Sequence, residues 1–280
     1  MGVLNATPNS FFDGGKYLDA NASKKRVDEL TADGADILDL GAESSKPGAT
    51  EVDANEQLKR LDTPLSYATE RGLFVSVDTS SPAVARTVLR RGARMINDVS
   101  CLRNSELAAV TAEANAWLVL THSRKPQSQM AGFSEWPEND YDDIVAEVAG
   151  EWEQARERAI RLGIAGERLL FDPGLGFSKS AQQSYRLLKG LREFQRLEVP
   201  ILVGPGRKSF IAAADPSEPS ERLGGTIAAT LFSAEQGCDV IRTHDVRESR
   251  QALRVWQACR ASELLSRPTS EAHAVARGKQ

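Results

Sequence analysis

The chain has 280 residues, of which 41% are hydrophobic and 26% charged, with a formal net charge of −4. This length suits one large domain, and the composition is typical of globular proteins. No basic cluster recurs, which argues against a nucleic-acid partner, and no apolar run approaches the roughly 18 to 20 residues of a membrane span. The first residues do not resemble a signal peptide, and three scattered cysteines form no CxxC pair. We therefore expect a cytoplasmic protein with reduced thiols.

Short apolar runs alternate with stretches of helical periodicity along the chain. The predicted strands are Met1–Leu4, Asp36–Leu40, Leu73–Val77, Arg94–Ile96, Trp117–Leu120, Arg168–Phe171, Pro200–Val203 and Val240–Arg242. The predicted helices are Ala20–Ala32, Ala54–Arg71, Pro82–Arg90, Ser105–Ala114, Tyr141–Leu162, Ala181–Arg196, Glu221–Gln236 and Val246–Ser262. Strict alternation implies parallel strands with helical crossovers, and eight such units in one domain favour a closed (β/α)₈ barrel, the TIM-barrel fold.

Two loops and a tail complete this organisation. The longest irregular stretches are predicted at Ser123–Asn139 and Ala212–Ser220, after the fifth and seventh strands. Loops that follow strands lie on the face where such barrels carry their active sites. We predict one barrel domain over residues 1–265 and a disordered polar tail over residues 266–280.

Polar side chains come directly after the predicted strands. They are Asn5, Asp78, Asn97, Asp98, His122, Asp172, Arg207, Lys208, Arg242 and His244. Any one of them is readily explained as a helix cap or a turn residue. A whole set in register around one rim predicts a ligand site instead.

The residue types indicate a nitrogen-rich heterocycle that carries a phosphate or diphosphate. A carboxylate such as Asp172 can pair in a two-pronged manner with an amidine-like edge. Lys208, Arg242 and His244 follow strands seven and eight, the recurrent phosphate position of these barrels. Asn5 offers a neutral oxygen to Mg²⁺, an ion that usually keeps waters and bridges to substrate phosphates.

Seven segments, in order over about residues 1–260, resemble the motifs of the dihydropteroate synthases. They are Gly2–Gly15, Gly41–Gly48, Ser76–Thr79, Ile96–Val99, Asp172–Phe177, Arg207–Phe210 and Arg242–Val246. The resemblance implies an enzyme of folate biosynthesis that joins 4-aminobenzoate to 6-hydroxymethyl-7,8-dihydropterin diphosphate and releases diphosphate. It also implies Mg²⁺ as the cofactor and a homodimer formed through the late helices.

The resemblance further implies a role for each matching residue. Asn5 would hold the metal on the diphosphate. The pterin would be bound by Asp78, Asn97, Asp172 and Lys208, and the diphosphate region by Ser45, Arg242 and His244. The aminobenzoate site would be bordered by Phe177, Lys208 and Ser209, and the catalytic set would be Asp13, Lys46, Lys208 and Arg242.

The chemistry of this reaction agrees with the absence of an obvious Ser/His/Asp arrangement. Departure of diphosphate leaves a cation that the pterin ring can delocalise, and the arylamine is already neutral at pH 7. Catalysis then consists mainly of stabilising charge on the leaving group and excluding water.

Four positions depart from the family pattern and keep alternatives open. Asn9 replaces an acid, Lys46 replaces an arginine and loses its planar fork, Thr121 replaces a methionine, and Pro205-Gly206 replaces a segment ending in serine. One alternative is therefore a pterin-binding paralogue with weak or no turnover. Another is a methyltetrahydrofolate-dependent methyltransferase barrel, which has no diphosphate for Arg242 and His244 to bind. A barrel enzyme acting on a different phosphorylated metabolite is the third.

Overall fold

A computed structural model describes residues 1–7, 19–43, 52–130, 132 and 134–266. Within these ranges strands and helices alternate as expected, except that two helices instead of one lie between the last two strands. The strands are β1 (Gly2–Asn5), β2 (Leu38–Gly41), β3 (Val75–Asp78), β4 (Met95–Asp98), β5 (Trp117–Thr121), β6 (Leu169–Asp172), β7 (Leu202–Val203) and β8 (Val240–Ile241). The helices are α1 (Ala20–Ala32), α2 (Ala54–Glu70), α3 (Pro82–Arg90), α4 (Glu106–Glu113), α5 (Ile144–Arg161), α6 (Ala181–Lys189), α7 (Ser209–Ala214), α8 (Leu223–Glu235) and α9 (Val246–Ser266).

The strands close into a parallel barrel, which confirms the predicted (β/α)₈ fold. Strands β1 to β6 pair in chain order, and β7 pairs with β8. Parallel bridges from Phe171 to Ile201 and from Gly2 to Thr243 join the two parts into a ring. At the second junction Thr243 donates to the Met1 carbonyl at 3.0 Å and accepts from the Val3 amide at 3.1 Å. The carboxyl ends of all strands therefore lie on one rim.

Alternation along each strand separates two cores. Residues facing outward, such as Leu40, Val77 and Phe171, join the large core between the barrel and the helices. Residues facing inward form a small apolar layer of Met95, Val119, Leu170 and Leu202. At the next inward-facing positions, toward the carboxyl ends of the strands, polar side chains follow this apolar layer. The alternation that fills the barrel interior therefore also directs the predicted site residues to the barrel mouth.

The largest differences from the predicted elements follow β6 and β7. The predicted helix Ala181–Arg196 ends at Lys189, and Leu191–Leu197 continue as a 3₁₀ helix. A Cβ at Gly190 would lie only 2.6 Å from Val145 Cγ2, so this glycine allows close packing on α5 at the point where the helix breaks. The predicted irregular stretch Ala212–Ser220 is wrong at its start, because Ala212 to Ala214 complete α7.

The remaining boundaries agree with the sequence to within four residues, the largest difference being at the end of α9. Ser81 caps α3 by accepting a hydrogen bond from the Val84 amide at 3.4 Å, next to proline at the first helical position. The stretch after β5 is irregular where it is described, apart from short 3₁₀ turns at Gln127–Gln129 and Glu138–Asp140. Of the predicted tail, only Ser266, the last residue of α9, belongs to the described part. None of the described helices combines the length and apolar character needed to cross a bilayer.

Candidate active site

The predicted site residues of the first four strands form one row across the sheet. Asn5 is the register partner of Gly41, Gly41 of Asp78, and Asp78 of Asn97. These residues are the last or next-to-last of their strands, and they share the inward orientation. The sequence prediction that they meet at one rim is therefore correct.

Arg242 joins this row from the last strand. Its Nε donates to Asp39 Oδ2 at 2.6 Å, and its Nη2 donates to Asp78 Oδ2 at 2.9 Å. Asp39 also accepts from Ser76 Oγ at 2.7 Å and from Asn97 Nδ2 at 3.3 Å. Three side chains, Arg242, Ser76 and Asn97, are thus connected through the Asp39 carboxylate.

Asp39 is the residue at this rim that sequence reasoning missed. It lies inside β2 and is completely buried, where a carboxylate is costly unless it is paired. A charged residue between Leu38 and Leu40 in an otherwise apolar strand was the signal for it. Because Asp39 lies within its strand, it does not match the pattern of polar residues that come directly after strands.

The charges at the rim perturb one another. Burial raises the pKa of Asp78 to about 7, with Arg242 opposing the shift and Asp39 and Glu43 adding to it. Burial acts to lower the pKa of Arg242, but Asp39 and Asp78 outweigh it and hold that pKa above its ordinary value. The guanidinium therefore stays charged beside the two carboxylates.

Asn97 has an unused acceptor. Its Nδ2 donates to Asp39, whereas its Oδ1 is buried and has no hydrogen-bond partner among the described residues. A buried acceptor without a partner is unfavourable by about 1 to 3 kcal/mol. A ligand N–H bound at this position would remove that penalty.

Asp172 lies across the mouth, at the end of β6. Its Oδ1 accepts from the Gly174 amide at 2.8 Å, and its Oδ2 accepts from Thr121 Oγ1 at 3.3 Å. Gly174 has a φ of 68°, and a Cβ there would collide with the His122 carbonyl oxygen. Burial raises the pKa of Asp172, and Lys208 opposes this rise.

Lys208 lies between Asp172 and Arg242. Its Nζ donates to the Leu175 carbonyl at 2.8 Å and is 4.8 Å from the centroid of the Phe177 ring. A Cβ at Gly204 would be 3.8 Å from Lys208 Nζ and 3.9 Å from Arg242 Cβ, so the two cationic side chains flank this glycine. Burial lowers the pKa of Lys208 to about 8, against the attraction of Asp172.

Of the remaining predicted site residues, the structure describes only two. Ser209, the first residue of α7, donates to Ser134 Oγ at 2.8 Å, so the loop after β5 contacts the start of this helix. His244 is half-buried, and its carbonyl accepts from Arg26 Nη2 at 2.8 Å. Asp13, Ser45 and Lys46 lie outside the described residues.

Three polar residues that the sequence placed at the rim serve the fold. Arg207 forms a two-pronged ion pair with Asp245, at 2.9 and 2.8 Å, so its guanidinium is bound by a carboxylate of the chain itself. Asp98 accepts from the amides of Ser100 and Leu102, which fixes the turn after β4. His122 pairs with Glu151 of α5 and with Lys179 of the β6–α6 loop.

The described residues contain no group of three or more His, Cys, Asp or Glu side chains suited to a metal ion. Asn5, at the end of β1, is the candidate ligand to test for Mg²⁺. Gly41 leaves room at its side-chain oxygen, since a Cβ there would lie 2.9 Å from Asn5 Oδ1. One amide oxygen fits an ion that takes its other ligands from water and substrate phosphates.

Known proteins are similar to this chain in both sequence and fold. The family described as pterin binding enzyme matches residues 1–244. A dihydropteroate synthase of Escherichia coli (strain K12) is 39% identical over 259 residues, which are 92% of this chain and 90% of the relative.

Two crystal structures extend the comparison. The dihydropteroate synthase of Yersinia pestis with a sulfonamide drug complex aligns with a TM-score of 0.87 at 33% identity, covering 94% of this chain and 93% of that chain. The enzyme of Thermus thermophilus in complex with 4-aminobenzoate aligns with a TM-score of 0.80 at 36% identity, covering 92% and 93%. By sequence and by fold, this chain belongs to the pterin-binding enzyme family.

Proposed function

We propose that this chain is a dihydropteroate synthase. It joins 4-aminobenzoate to 6-hydroxymethyl-7,8-dihydropterin diphosphate, releases diphosphate and forms 7,8-dihydropteroate for folate biosynthesis. The main support for the proposal is the arrangement of four side chains around one barrel mouth. They are Asp172, Asn97, Lys208 and Arg242. The names of the relatives support the same reaction, and the Thermus thermophilus structure contains the proposed second substrate.

The pterin is bound by groups with complementary hydrogen-bonding capacity. The Asp172 carboxylate accepts two N–H groups from the amidine-like edge of the ring, and such pairs are strong when an ion is involved. Asn97 Oδ1 accepts a further N–H, which satisfies its buried oxygen. The Lys208 ammonium donates to a ring acceptor from the opposite side, and Asp78 completes the set.

The diphosphate lies over the cationic part of the rim. Arg242, held in place by Asp39 and Asp78, neutralises charge that accumulates on the leaving oxygens, together with Ser45 and His244. Asn5 would hold Mg²⁺ on the diphosphate, and the ion would supply additional positive charge to the leaving group. Asp13 and Lys46, which follow β1 and β2 in the sequence, complete the catalytic set.

The reaction requires little acid–base chemistry from the protein. The bond between the methylene carbon and the diphosphate oxygen breaks, and both electrons leave with diphosphate. The arylamine nitrogen attacks the methylene carbon and then loses one proton to water. Phe177, Lys208 and Ser209 position the arylamine for this attack, so the main contributions of the chain are orientation and charge stabilisation.

An assay of diphosphate release tests this function. With both substrates and Mg²⁺, the purified chain should release diphosphate and form dihydropteroate in equal amounts, and omission of 4-aminobenzoate should stop release. Pterin binding without release would identify a non-catalytic paralogue. Methyl transfer from methyltetrahydrofolate would identify the methyltransferase alternative, and failure to bind any pterin would contradict the whole assignment.

A homodimer through α8 and α9 is the proposed assembly. Phe232 on α8 and Val255 on α9 are large apolar side chains that are 44% and 60% exposed. Helices α8 and α9 also pack on each other, so the two residues belong to one side of the barrel. A mass twice that of the 30.5 kDa chain in light scattering is expected, and a monomeric mass at micromolar concentration would contradict it.

A further inference from the structure

Lys179 is a completely buried lysine behind the proposed aminobenzoate site. Its Nζ donates to the Phe177 carbonyl at 2.8 Å and to the His122 carbonyl at 3.2 Å, and it is 2.9 Å from His122 Nδ1. These three acceptors match the three hydrogens of an ammonium group, and none of them is a carboxylate. Burial lowers the pKa of Lys179 to about 7, against the attraction of Asp172.

His122 is oriented from the other side. Its Nε2 is 2.9 Å from Glu151 Oε2, and Arg124 holds the same glutamate through hydrogen bonds of 2.9 and 2.6 Å to Oε1. Burial and the neighbouring Lys179 lower the pKa of His122 to about 4, so the imidazole is neutral at pH 7. With the carboxylate at Nε2, this nitrogen carries the proton and Nδ1 accepts from Lys179.

The other end of this chain of hydrogen bonds is the loop between β6 and α6. Lys179 binds the Phe177 carbonyl, while Lys208 binds the Leu175 carbonyl and contacts the Phe177 ring. Lys179, a buried residue of this loop, and the half-buried Lys208 therefore bind loop carbonyls two residues apart. Asp172, the last residue of β6, is held by Thr121 Oγ1 from the neighbouring strand and by the amide of Gly174, at the beginning of the loop.

We propose that Lys179 is a positioning residue for the arylamine substrate. Its ammonium group, fixed by His122, holds the Phe177 carbonyl and thereby sets the Phe177 ring against Lys208. Loss of the ammonium group should displace the wall of the aminobenzoate site and leave the pterin anchor Asp172 in place. This inference rests on the proposed function, since it assigns Phe177 to the second substrate.

Replacement of Lys179 by methionine tests the inference, because methionine has a similar length and no N–H group. The KM for 4-aminobenzoate should rise at least tenfold, whereas the dissociation constant for the pterin diphosphate, measured by calorimetry with Mg²⁺, should change less than threefold. The control Lys189→Met removes an exposed lysine of α6 and should change neither value. Equal weakening for both substrates, or a fall in Tm with unchanged KM, would overturn the inference.

His122→Gln provides the second measurement, in case Lys179→Met does not fold. Glutamine keeps a neutral polar side chain but loses the ring that links Glu151 to Lys179, so the KM for 4-aminobenzoate should rise in the same direction, about threefold or more. A folded His122→Gln variant with wild-type KM would also overturn the inference. A wild-type chain that releases no diphosphate would refute the proposed function as well, whereas an active wild type with an unaffected Lys179→Met variant would refute this inference alone.

Discussion

Arg242 Nε donates a 2.6 Å hydrogen bond to Asp39, a carboxylate with no exposed surface inside β2. This bond fixes the guanidinium at the rim, from where it also reaches Asp78. Asp39 additionally binds Asn97, so one buried charge connects a proposed diphosphate ligand with a proposed pterin ligand.

Asp39→Asn should therefore reduce both stability and catalysis. Removal of one partner from a buried ion pair typically costs about 3 kcal/mol, and urea unfolding measures this loss. We expect kcat/KM for the pterin diphosphate to fall about a hundredfold, which corresponds to about 2.7 kcal/mol. Asp62→Asn is the matched control, since Asp62 pairs with Arg91 at the same 2.6 Å but is 65% exposed, and it should cost less than about 1 kcal/mol. Similar losses in the two variants would contradict the special role of Asp39.

The sequence predicted the barrel because its eight apolar runs and the intervening helical periods are local patterns. It also predicted Asp78, Asn97 and Asp172 at one rim, because strand order and alternation place the carboxyl ends together. Asp39 and Lys179 were not predicted, since their partners are distant in the chain: Arg242 is 203 positions from Asp39, and His122 is 57 from Lys179. Short elements are also difficult to predict from sequence. The six residues of α7 are too few to show a helical period.

Asp172→Asn tests the proposed pterin anchor. An amide in place of the carboxylate presents an N–H to a ring edge that already donates, so we expect pterin affinity to fall roughly a hundredfold, in keeping with about 1.5 to 3 kcal/mol for a charged hydrogen bond. Calorimetry with the pterin diphosphate measures the change. Asp98→Asn is the control, because Asp98 caps a turn through Ser100 and Leu102 and should lose stability without losing pterin affinity. Near-normal affinity in Asp172→Asn would remove Asp172 from the site.

Pterin affinity should depend on pH through Lys208. Burial lowers the pKa of this ammonium group to about 8, so it is largely charged at pH 7 and largely neutral at pH 9. A neutral amine is the weaker donor, and the affinity for the pterin diphosphate should fall as the pH rises through 8. Lys208→Gln has no titrating group there and should bind more weakly but without this fall. A pH profile of the wild type that is flat between pH 7 and 9 would contradict the assignment.

Substitution of Arg242 and of Arg207 should distinguish an arginine that binds ligand from one that stabilises the fold. Arg242→Gln should weaken binding of the pterin diphosphate tenfold or more, with a smaller effect on the pterin alcohol that lacks diphosphate. Arg207→Gln breaks the two-pronged pair with Asp245, whose side chain is 11% exposed, and should lower the free energy of unfolding by about 2 to 3 kcal/mol. Because Arg207 also donates to the Pro219 and Ser220 carbonyls, the loss of stability should originate between α7 and α8, with hydrogen exchange increased at 215–222. A larger effect on the diphosphate ligand from Arg207→Gln than from Arg242→Gln would reverse the two assignments.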